Sequence, residues 1–357
     1  MGLKERNKQL LRKDIKAKRY ILRAFPYFIG LATDVRCNLA CIMCNRARHD
    51  PAVLEDTHTV DEKLFTKFAD EVFPTAEVLQ LNIAGEPLLS RNIDLELEYA
   101  AKYDVKLEVT TNGVFFDSQY KNIDILLRQA RSVIFSLDSP FKDTYESIRL
   151  GSDYSRVIDN MNFFQKYRNS LALHKKPSFA IVMVLMKRNL NQVLPMVEFA
   201  KKIGVDHLAI SHMVVFTEDM KKESVHDIKE EVNAILIKAL EKAREMQLPL
   251  SIPPLYAIEE ESKHVIKKQG GVTNTENNEE INKFCFFLWE RAYLNMGANI
   301  IACCSPGYPI MGSMKDSSFA QIWNGEKYQQ MRQTFTGGKP YAPCYECYKR
   351  GYLSQLV

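Results

Sequence analysis

The feature that most restricts the fold is a regular alternation of apolar and amphipathic segments between Tyr27 and His212. It predicts six β–α units in a parallel sheet covered by helices, because parallel strands are joined by crossovers that are usually helical. The strands read as nearly continuous apolar runs, which is typical of strands buried on both faces. The predicted strands are Phe28–Thr33, Val78–Ile83, Val105–Thr110, Ser132–Leu137, Phe179–Leu185 and His207–Ser211, and the predicted helices are Asp61–Val72, Asn92–Lys102, Ser118–Gln129, Tyr154–Arg168 and Leu190–Lys202.

Polar motifs follow the first four predicted strands where each strand ends. They are the cysteine loop after the first strand, Gly85-Glu86-Pro87 after the second, Thr110-Thr111-Asn112-Gly113 after the third and Ser136-Leu137-Asp138 at the fourth. Functional groups of parallel α/β folds gather at the carboxyl ends of the strands. We therefore expect these motifs to meet in one site.

The cysteines form two groups. Cys37, Cys41 and Cys44 have the spacing C-x3-C-x2-C, and five more follow residue 284, namely Cys285, Cys303, Cys304, Cys344 and Cys347. Soft thiolates select zinc or an iron–sulfur cluster, and a closed zinc site needs four protein ligands. The early loop supplies three, which would leave one iron of a cubane cluster open. The two groups predict two metal centres in a reducing compartment rather than four disulfides.

Composition restricts the location of the protein more than its function. The chain of 357 residues has a net charge of +4 and is 46% hydrophobic, and its longest apolar run, Phe179–Met186, is too short to cross a membrane. No signal peptide is recognisable, so we expect a cytoplasmic protein. Leu3–Ala24 carries nine Lys and Arg residues and predicts a basic amphipathic helix. We expect it to pack on the main domain, with an anionic membrane or nucleic acid as the alternative partner.

The cysteine triplet after a first strand, followed by Gly-Glu-Pro after the second, resembles the radical S-adenosylmethionine enzymes over Tyr27–Met213. The resemblance implies an α/β fold with a partial (βα)6 TIM-like barrel. It also implies a 4Fe–4S cluster held by three cysteines, Cys37, Cys41 and Cys44, with S-adenosylmethionine on the open iron. The implied activity is reductive cleavage to a 5′-deoxyadenosyl radical, which abstracts a substrate hydrogen atom.

Other residues match this family one by one. Gly85, Glu86 and Pro87 resemble the segment that receives the methionine amine, although Ala84 replaces a usual glycine. Ser136 and Asp138 resemble a ribose-hydroxyl site, and Thr111 and Asn112 would border it. Arg149 resembles an arginine that contacts the methionine carboxylate or the substrate, and Met43 replaces an aromatic residue that is often found there. The structural alternatives are a helix cap for Glu86, a turn at Asp138 and a surface ion pair for Arg149.

The late cysteines, together with the segment FAQIWNGEKYQQMR (Phe319–Arg332), resemble the SPASM/twitch auxiliary-cluster domain. The resemblance implies one auxiliary 4Fe–4S cluster held by Cys285, Cys303, Cys344 and Cys347. Cys304 would be spare or would exchange roles with Cys303. The predicted organisation is a basic helical arm (1–25), a radical S-adenosylmethionine core (26–213), a helix from Ser224 to Met246 with a polar linker (214–280), and an auxiliary-cluster domain (281–357).

The resemblance predicts an oxidoreductase whose substrate is a small molecule or a peptide and whose electron donor is a flavodoxin or ferredoxin. The leading specific reaction is oxidation of an alcohol in natural-product or sugar metabolism, and the alternatives are a peptide- or protein-modifying maturase and a sugar epimerase. A rival from another class is a zinc-stabilised nucleic-acid-binding protein, with His49 completing the early site. Zinc explains neither the Gly-Glu-Pro segment nor the barrel pattern. His212, at the end of the sixth strand, is a candidate proton acceptor or a structural histidine.

Overall fold

The computed structural model describes residues 2–45, 59–81, 83–172, 176–256, 285–303, 309–336 and Cys344. Strands and helices alternate through the barrel region as the sequence predicted. The strands are β1 (Phe28–Ala32), β2 (Val78–Leu81), β3 (Lys106–Thr111), β4 (Ala130–Ser136), β5 (Ser178–Leu185), β6 (His207–His212), β7 (Leu250–Ser251), β8 (Arg291–Asn295), β9 (Asn299–Ile301) and β10 (Ile310–Ser313). The helices are α1 (Leu3–Lys16), α2 (Glu62–Val72), α3 (Ile93–Lys102), α4 (Ile123–Gln129), α5 (Lys142–Ile148), α6 (Tyr154–Asn169), α7 (Val193–Ile203), α8 (Lys229–Glu245), α9 (Phe287–Glu290), α10 (Phe319–Trp323) and α11 (Glu326–Thr336).

The strands form one sheet in the order β10-β9-β8-β1-β2-β3-β4-β5-β6-β7. From β8 through β7 each neighbouring pair is parallel, whereas β8, β9 and β10 pair antiparallel. The predicted α/β fold with a parallel, partial barrel is confirmed. Since parallel strands share one carboxyl edge, the loops after β1 to β5 open on the same side.

The barrel core is closed by aromatic packing between the sheet and its helices. Phe164 of α6 lies 5.3 Å from Phe179 of β5 and 5.5 Å from Phe116, measured between ring centroids. These rings are fully buried, and their edge-to-face geometry is favourable for aromatic pairs. Asp153 caps α6 by accepting a hydrogen bond from Arg156 N. A rigid scaffold of this kind fixes where each strand ends.

The N-terminal helix is shorter than predicted, because α1 ends at Lys16 and not at Ala24. The fully buried carboxylate of Asp14 accepts hydrogen bonds from the backbone and the guanidinium of Arg23, which turns the chain back across the helix. Lys18 adopts a left-handed conformation (φ 49°), which ends the helix locally. Leu11 is buried, so α1 packs on the domain as expected.

The helix predicted to begin at Ser224 begins at Lys229 instead. Residues Asp219–Glu223 form a 3-10 turn, and Ser224 closes that turn rather than capping α8. Its hydroxyl accepts a hydrogen bond from His226 N at 3.3 Å. The interpretation of Ser224 as the N-cap of this helix is therefore wrong, because serine also ends and stabilises turns.

The C-terminal region is continuous with the barrel sheet. β8 pairs with β1 along five residues, from Phe28↔Arg291 to Ala32↔Asn295. The segment after α1 joins the same region, since Trp289 Nε1 donates to Arg19 O and Trp323 Nε1 donates to Ala24 O. Among the described helices, none is long and apolar enough to cross a membrane.

Candidate active site

The predicted motifs meet around one cavity of about 510 Å³ at the carboxyl ends of the strands. The residues that line it come from strands β2 to β5, from the loops after β1, β2 and β3, and from the end of α5. Those predicted from the sequence are Cys37, Cys41, Cys44, Gly85, Glu86, Thr111, Asn112, Ser136 and Arg149. Pro87 begins a buried 3-10 turn and Asp138 is fully buried; neither is among the lining residues.

The cysteine loop is fixed against the end of α5 by backbone hydrogen bonds. Ala40 N donates to Leu150 O and Ile42 N donates to Ile148 O, each at 3.0 Å. Cys41 is buried, and burial raises the pKa of its thiol to about 11. A thiolate here therefore needs a compensating positive charge, which a bound metal centre provides.

The loop after β2 crosses the cysteine loop closely enough to require glycine. Gly85 has a φ of +81°, and a Cβ built on it would lie 2.5 Å from Arg36 O. The next residue continues the contact, since Glu86 N donates to Arg36 O at 2.7 Å. The two predicted motifs are thus joined through their backbones, which fixes the cysteine loop relative to β2.

The carboxylate of Glu86 joins the loop after β2 to the end of β3. It accepts hydrogen bonds from Thr111 Oγ1 at 2.7 Å, from Asn112 N at 2.8 Å and from Leu88 N at 3.3 Å. Glu86 is buried, and burial raises the pKa of its carboxyl to about 7 although the three hydrogen bonds and Arg149 lower it. Glu86 therefore caps the 3-10 turn Pro87–Leu89, which was its structural alternative, and it also joins the Gly85-Glu86-Pro87 segment to Thr111 and Asn112.

Asn112 extends this network to the cysteines. Its Nδ2 donates to Asn38 Oδ1 at 2.9 Å and lies 3.8 Å from Cys37 Sγ. Weak hydrogen bonds to a thiolate sulfur orient it and stabilise its charge. Glu86, Asn112 and Cys37 therefore form one connected chain of contacts along the cavity wall.

Arg149 is a buried ion-pair partner and not a surface residue. Its Nε lies 2.7 Å from Asp138 Oδ2, and its Nη1 lies 3.9 Å from Cys41 Sγ. The 2.7 Å contact is an ion pair whose geometry does not meet the angle of a hydrogen bond. The other carboxylate oxygen of Asp138, Oδ1, accepts a hydrogen bond from Val184 N. Burial alone would lower the pKa of Arg149, but the charges of Asp138 and Cys41 outweigh it and raise that pKa. Asp138 thus orients Arg149 instead of facing the cavity itself.

Several lining residues have no sequence motif, among them Gln80, Ile83 and Val184. Val184 is on β5 and also supplies the backbone N–H that holds Asp138. The only signal for such residues is their position at strand ends. His212 does not line the cavity: its Nε2 contacts Pro254 O at 3.1 Å and its Nδ1 lies 3.3 Å from Tyr256 Oη. Both ring nitrogens are engaged, which favours the structural interpretation.

Three cysteines of the second group lie among the described residues. Cys285 precedes α9 and is half-buried, Cys303 follows β9, and Cys344 is buried. Cys304, Cys347 and His49 lie outside the described residues. Within the described ranges, no group of three His, Cys, Asp or Glu side chains is arranged to hold a metal ion.

Comparison with known proteins gives two matches that together span most of the chain. Residues 33–200 match the model of the radical SAM superfamily, and residues 285–348 match that of SPASM, an iron–sulfur cluster-binding domain. The chain is 25% identical over 331 residues to the tungsten-containing aldehyde ferredoxin oxidoreductase cofactor-modifying protein of Pyrococcus furiosus. That match covers 90% of this chain and 86% of the relative.

Solved structures of similar fold include SuiB of Streptococcus suis bound to S-adenosylmethionine. Its TM-score is 0.62 at 15% identity, over 91% of this chain and 71% of that one. A second is anSMEcpe with bound S-adenosylmethionine and the Cp18Cys peptide, with a TM-score of 0.62 at 15% identity, over 90% of this chain and 86% of that one. At such identity these likenesses show a shared fold.

Proposed function

Because this chain belongs to the radical S-adenosylmethionine superfamily and carries a SPASM iron–sulfur domain, we propose that it modifies a peptide or protein by radical chemistry. The family and the predicted cofactors are confirmed: a 4Fe–4S cluster, S-adenosylmethionine and auxiliary iron–sulfur binding. The observation that carries the proposal is the convergence of three cysteines, the Gly85-Glu86 segment and Arg149 on one cavity.

The cavity residues fit the catalytic cluster in donor chemistry. Cys37, Cys41 and Cys44 would hold it, since all three soft thiols line the cavity, and a cubane cluster with three thiolate ligands would keep one iron for a ligand that is not protein. When bound, the cofactors would supply one-electron cleavage of the sulfonium, with the electron coming from an external donor through the cluster, and hydrogen-atom abstraction from the substrate.

The remaining cavity residues would position S-adenosylmethionine. Gly85 lets the backbone after β2 approach the cysteine loop, and that segment would receive the methionine amine. Arg149, held by Asp138, would contact the methionine carboxylate, for which a planar guanidinium is suited. Thr111, Asn112 and Ser136 would border the ribose, and the apolar walls would keep water from the radical.

A peptide is favoured over a sugar alcohol by the surface next to the cavity. Ile148, Met186, Met213 and Met220 form a buried cluster that packs on Met43 and Val184, and the latter two line the cavity. Residues 214–216, which follow Met213 in the chain, are apolar, and their exposed fractions are 37–38%. The apolar cavity residues Met43 and Val184 and the exposed apolar residues 214–216 suit the side chains of a peptide, whereas a polyhydroxylated sugar needs many polar partners.

Two proteins of similar fold support the same substrate class. The Pyrococcus furiosus relative, by contrast, is named for modifying the cofactor of tungsten-containing aldehyde ferredoxin oxidoreductase. SuiB has been solved with its precursor peptide SuiA and anSMEcpe with the Cp18Cys peptide. Oxidation of an alcohol remains a prediction.

The experiment uses anaerobically reconstituted full-length protein with dithionite and S-adenosylmethionine. We expect 5′-deoxyadenosine to form, and its rate to rise when a pool of side-chain-deuterated apolar peptides is added, with deuterium entering the product. Deuterium transfer from a deuterated amino-sugar alcohol but from no peptide would overturn the substrate class. No 5′-deoxyadenosine at all would overturn the activity.

A further inference from the structure

Strand β3 carries a glutamate on the face that points into the barrel. Burial alternates along this strand: Leu107 and Val109 are fully buried in the hydrophobic core, whereas Glu108 and Thr110 are half-buried. Thr110 lines the cavity, and side chains two residues apart on a strand point to the same face. Glu108 therefore points into the barrel, about 7 Å deeper along β3 than Thr110.

The register of the sheet places Glu108 between two other polar side chains. Its partner on β2 is Gln80, and its partner on β4 is Ser132. Paired residues of neighbouring strands lie about 5 Å apart and point to the same face, so Gln80, Glu108 and Ser132 form one polar row. Gln80 also lines the cavity. The polar row is thus continuous with the cavity across the sheet at Gln80 and along the strand at Thr110.

The side chains of the polar row have no hydrogen-bond or ion-pair partner among the described residues. The acidic side chains closer to the cysteines differ in this respect. Glu86 accepts a hydrogen bond from Thr111 Oγ1, and Asp138 is paired with Arg149. A half-buried carboxylate is costly to keep ionised without a partner, so native proteins rarely retain one that has no function.

Two arginines influence Glu108 without contacting it. Burial raises the pKa of the Glu108 carboxyl, whereas the charges of Arg291 and Arg131 lower it. The guanidinium of Arg291 lies between two rings, 4.2 Å from the centroid of Phe28 and 3.9 Å from that of Phe287. Within the described ranges, neither arginine forms an ion pair with Glu108. The carboxylate oxygens are therefore available to a ligand that enters the barrel.

We propose that Glu108 binds a cationic nitrogen of the substrate, namely the ammonium or guanidinium of a lysine or arginine side chain in a peptide. Hydrogen bonds between an ionised carboxylate and such groups are among the strongest in proteins. Gln80 and Ser132 offer further acceptors on either side of the carboxylate. The alkyl part of the substrate side chain suits the apolar cavity residues Met43 and Val184. This inference rests on the proposed function, because it names the side chain that the same cavity selects.

The test compares two peptides that differ in one charge. They are an end-blocked tripeptide of leucine, lysine and leucine and the same tripeptide with norleucine in place of lysine, which removes only the ammonium group. Each is titrated into the fully reconstituted protein with S-adenosylmethionine, and binding is measured by anaerobic isothermal titration calorimetry. We expect the lysine peptide to bind about tenfold more tightly than the norleucine peptide.

Variants at Glu108 assign this preference to one side chain. Glu108→Gln keeps the size of the side chain and removes its charge, so it should weaken binding of the lysine peptide about tenfold and leave the norleucine peptide unaffected. Glu108→Asp retains the charge and should retain a preference for the lysine peptide. The matched control is Glu98→Gln, which removes the same charge from an exposed position on α3 and should change neither affinity. The variants are compared at equal iron content.

The proposal would be overturned if the unmodified protein bound both peptides equally or bound neither, or if Glu108→Gln kept the preference. Glucosamine is the third probe, because it presents the same cationic nitrogen on a sugar. Binding of glucosamine that depends on Glu108, without a preference for the lysine peptide, would also contradict the proposal. If the lysine peptide bound with the expected preference but no peptide deuterium entered 5′-deoxyadenosine, the proposed function would fail while the cation site at Glu108 stood. Deuterium transfer from peptides without a preference for lysine would have the opposite meaning.

Discussion

The barrel site and the C-terminal region each contain a buried arginine, but the two arginines are held in opposite ways. Arg149 contacts Asp138 at 2.7 Å, and the pair is neutral as a whole. Arg332 is held by three backbone carbonyls and two aromatic rings, with no carboxylate in contact among the described residues. The first can orient a ligand without adding net charge, whereas the second has only the more distant charge of Asp14 to offset its own.

The neutral pair suits the role proposed for the barrel site. That site has to bind a zwitterionic ligand in one orientation, which a fixed and neutralised guanidinium achieves. In the C-terminal region, carbonyls and rings hold Arg332, and the charge of Asp14 acts on it without an ion-pair contact. Among the described residues, a carboxylate in direct contact therefore distinguishes Arg149 from Arg332.

The largest expected effect separates the two cysteine groups. Replacing Cys37, Cys41 and Cys44 by alanine should reduce 5′-deoxyadenosine release to background, because the triplet would hold the cluster that splits the sulfonium. Cys344→Ala should retain that uncoupled release and lose turnover of substrate. Chromatographic measurement of 5′-deoxyadenosine with and without substrate checks both. Equal losses in the two variants would remove the distinction between the regions.

The next effect tests the neutral pair. Asp138→Asn leaves the guanidinium of Arg149 buried without its counter-charge, which should cost about 3–5 kcal/mol in the free energy of unfolding. Release of 5′-deoxyadenosine should fall with it, because Arg149 loses its orientation. Urea titration and the cleavage assay measure the two quantities. The surface pair of Lys102 and Asp70 provides the control, since Asp70→Asn should change stability by about 1 kcal/mol or less.

A third effect concerns the pH dependence of stability. Burial raises the pKa of Glu96 to about 7, although Thr33 Oγ1 donates to it at 2.5 Å. A carboxyl with a raised pKa in the folded state binds its proton more tightly there than in the unfolded chain. Stability should therefore fall as pH rises from about 4.5 towards 7, on the order of 3 kcal/mol for this group.

Glu96→Gln should flatten that part of the pH profile, as measured by urea midpoints at several pH values. Glu86 titrates in the same window and should preserve part of the slope. Glu290 in the C-terminal region also has a pKa raised by burial, so it should preserve part of the slope as well. A variant with the slope of the unmodified protein would show that Glu96 is ionised in the folded state at neutral pH.

The smallest expected effect concerns the crossing of the two loops. Gly85→Ala places a Cβ against Arg36 O at a φ of +81°, which should cost about 1–3 kcal/mol of stability. It should also lower the iron bound by the barrel site, since the cysteine loop must move. Gly2→Ala is the control, because a Cβ there has no atom within 4 Å. Iron content and thermal unfolding test both variants.

The sequence predicted the strands and the meeting of the motifs because both depend on local pattern. Apolar runs of strand length and the carboxyl-edge rule place Cys41, Glu86 and Arg149 around one site without knowledge of their contacts. The predicted end of α1 was wrong, because Asp14 accepts hydrogen bonds from Arg23 and the chain turns there. No local sequence pattern indicates that contact. The start of α8 was missed for a similar reason, since the 3-10 turn before it packs on the barrel.

By itself, the sequence determined the alternation of elements, the two groups of thiols and the family to which their spacing belongs. Only the tertiary structure decided that β8 extends the barrel sheet beside β1, that Asp138 serves Arg149, and that Arg332 is buried without a carboxylate in contact among the described residues. The physical reason is distance along the chain. Contacts between residues far apart in sequence depend on packing and on charge balance. Neither produces a periodic pattern that can be recognised in the sequence.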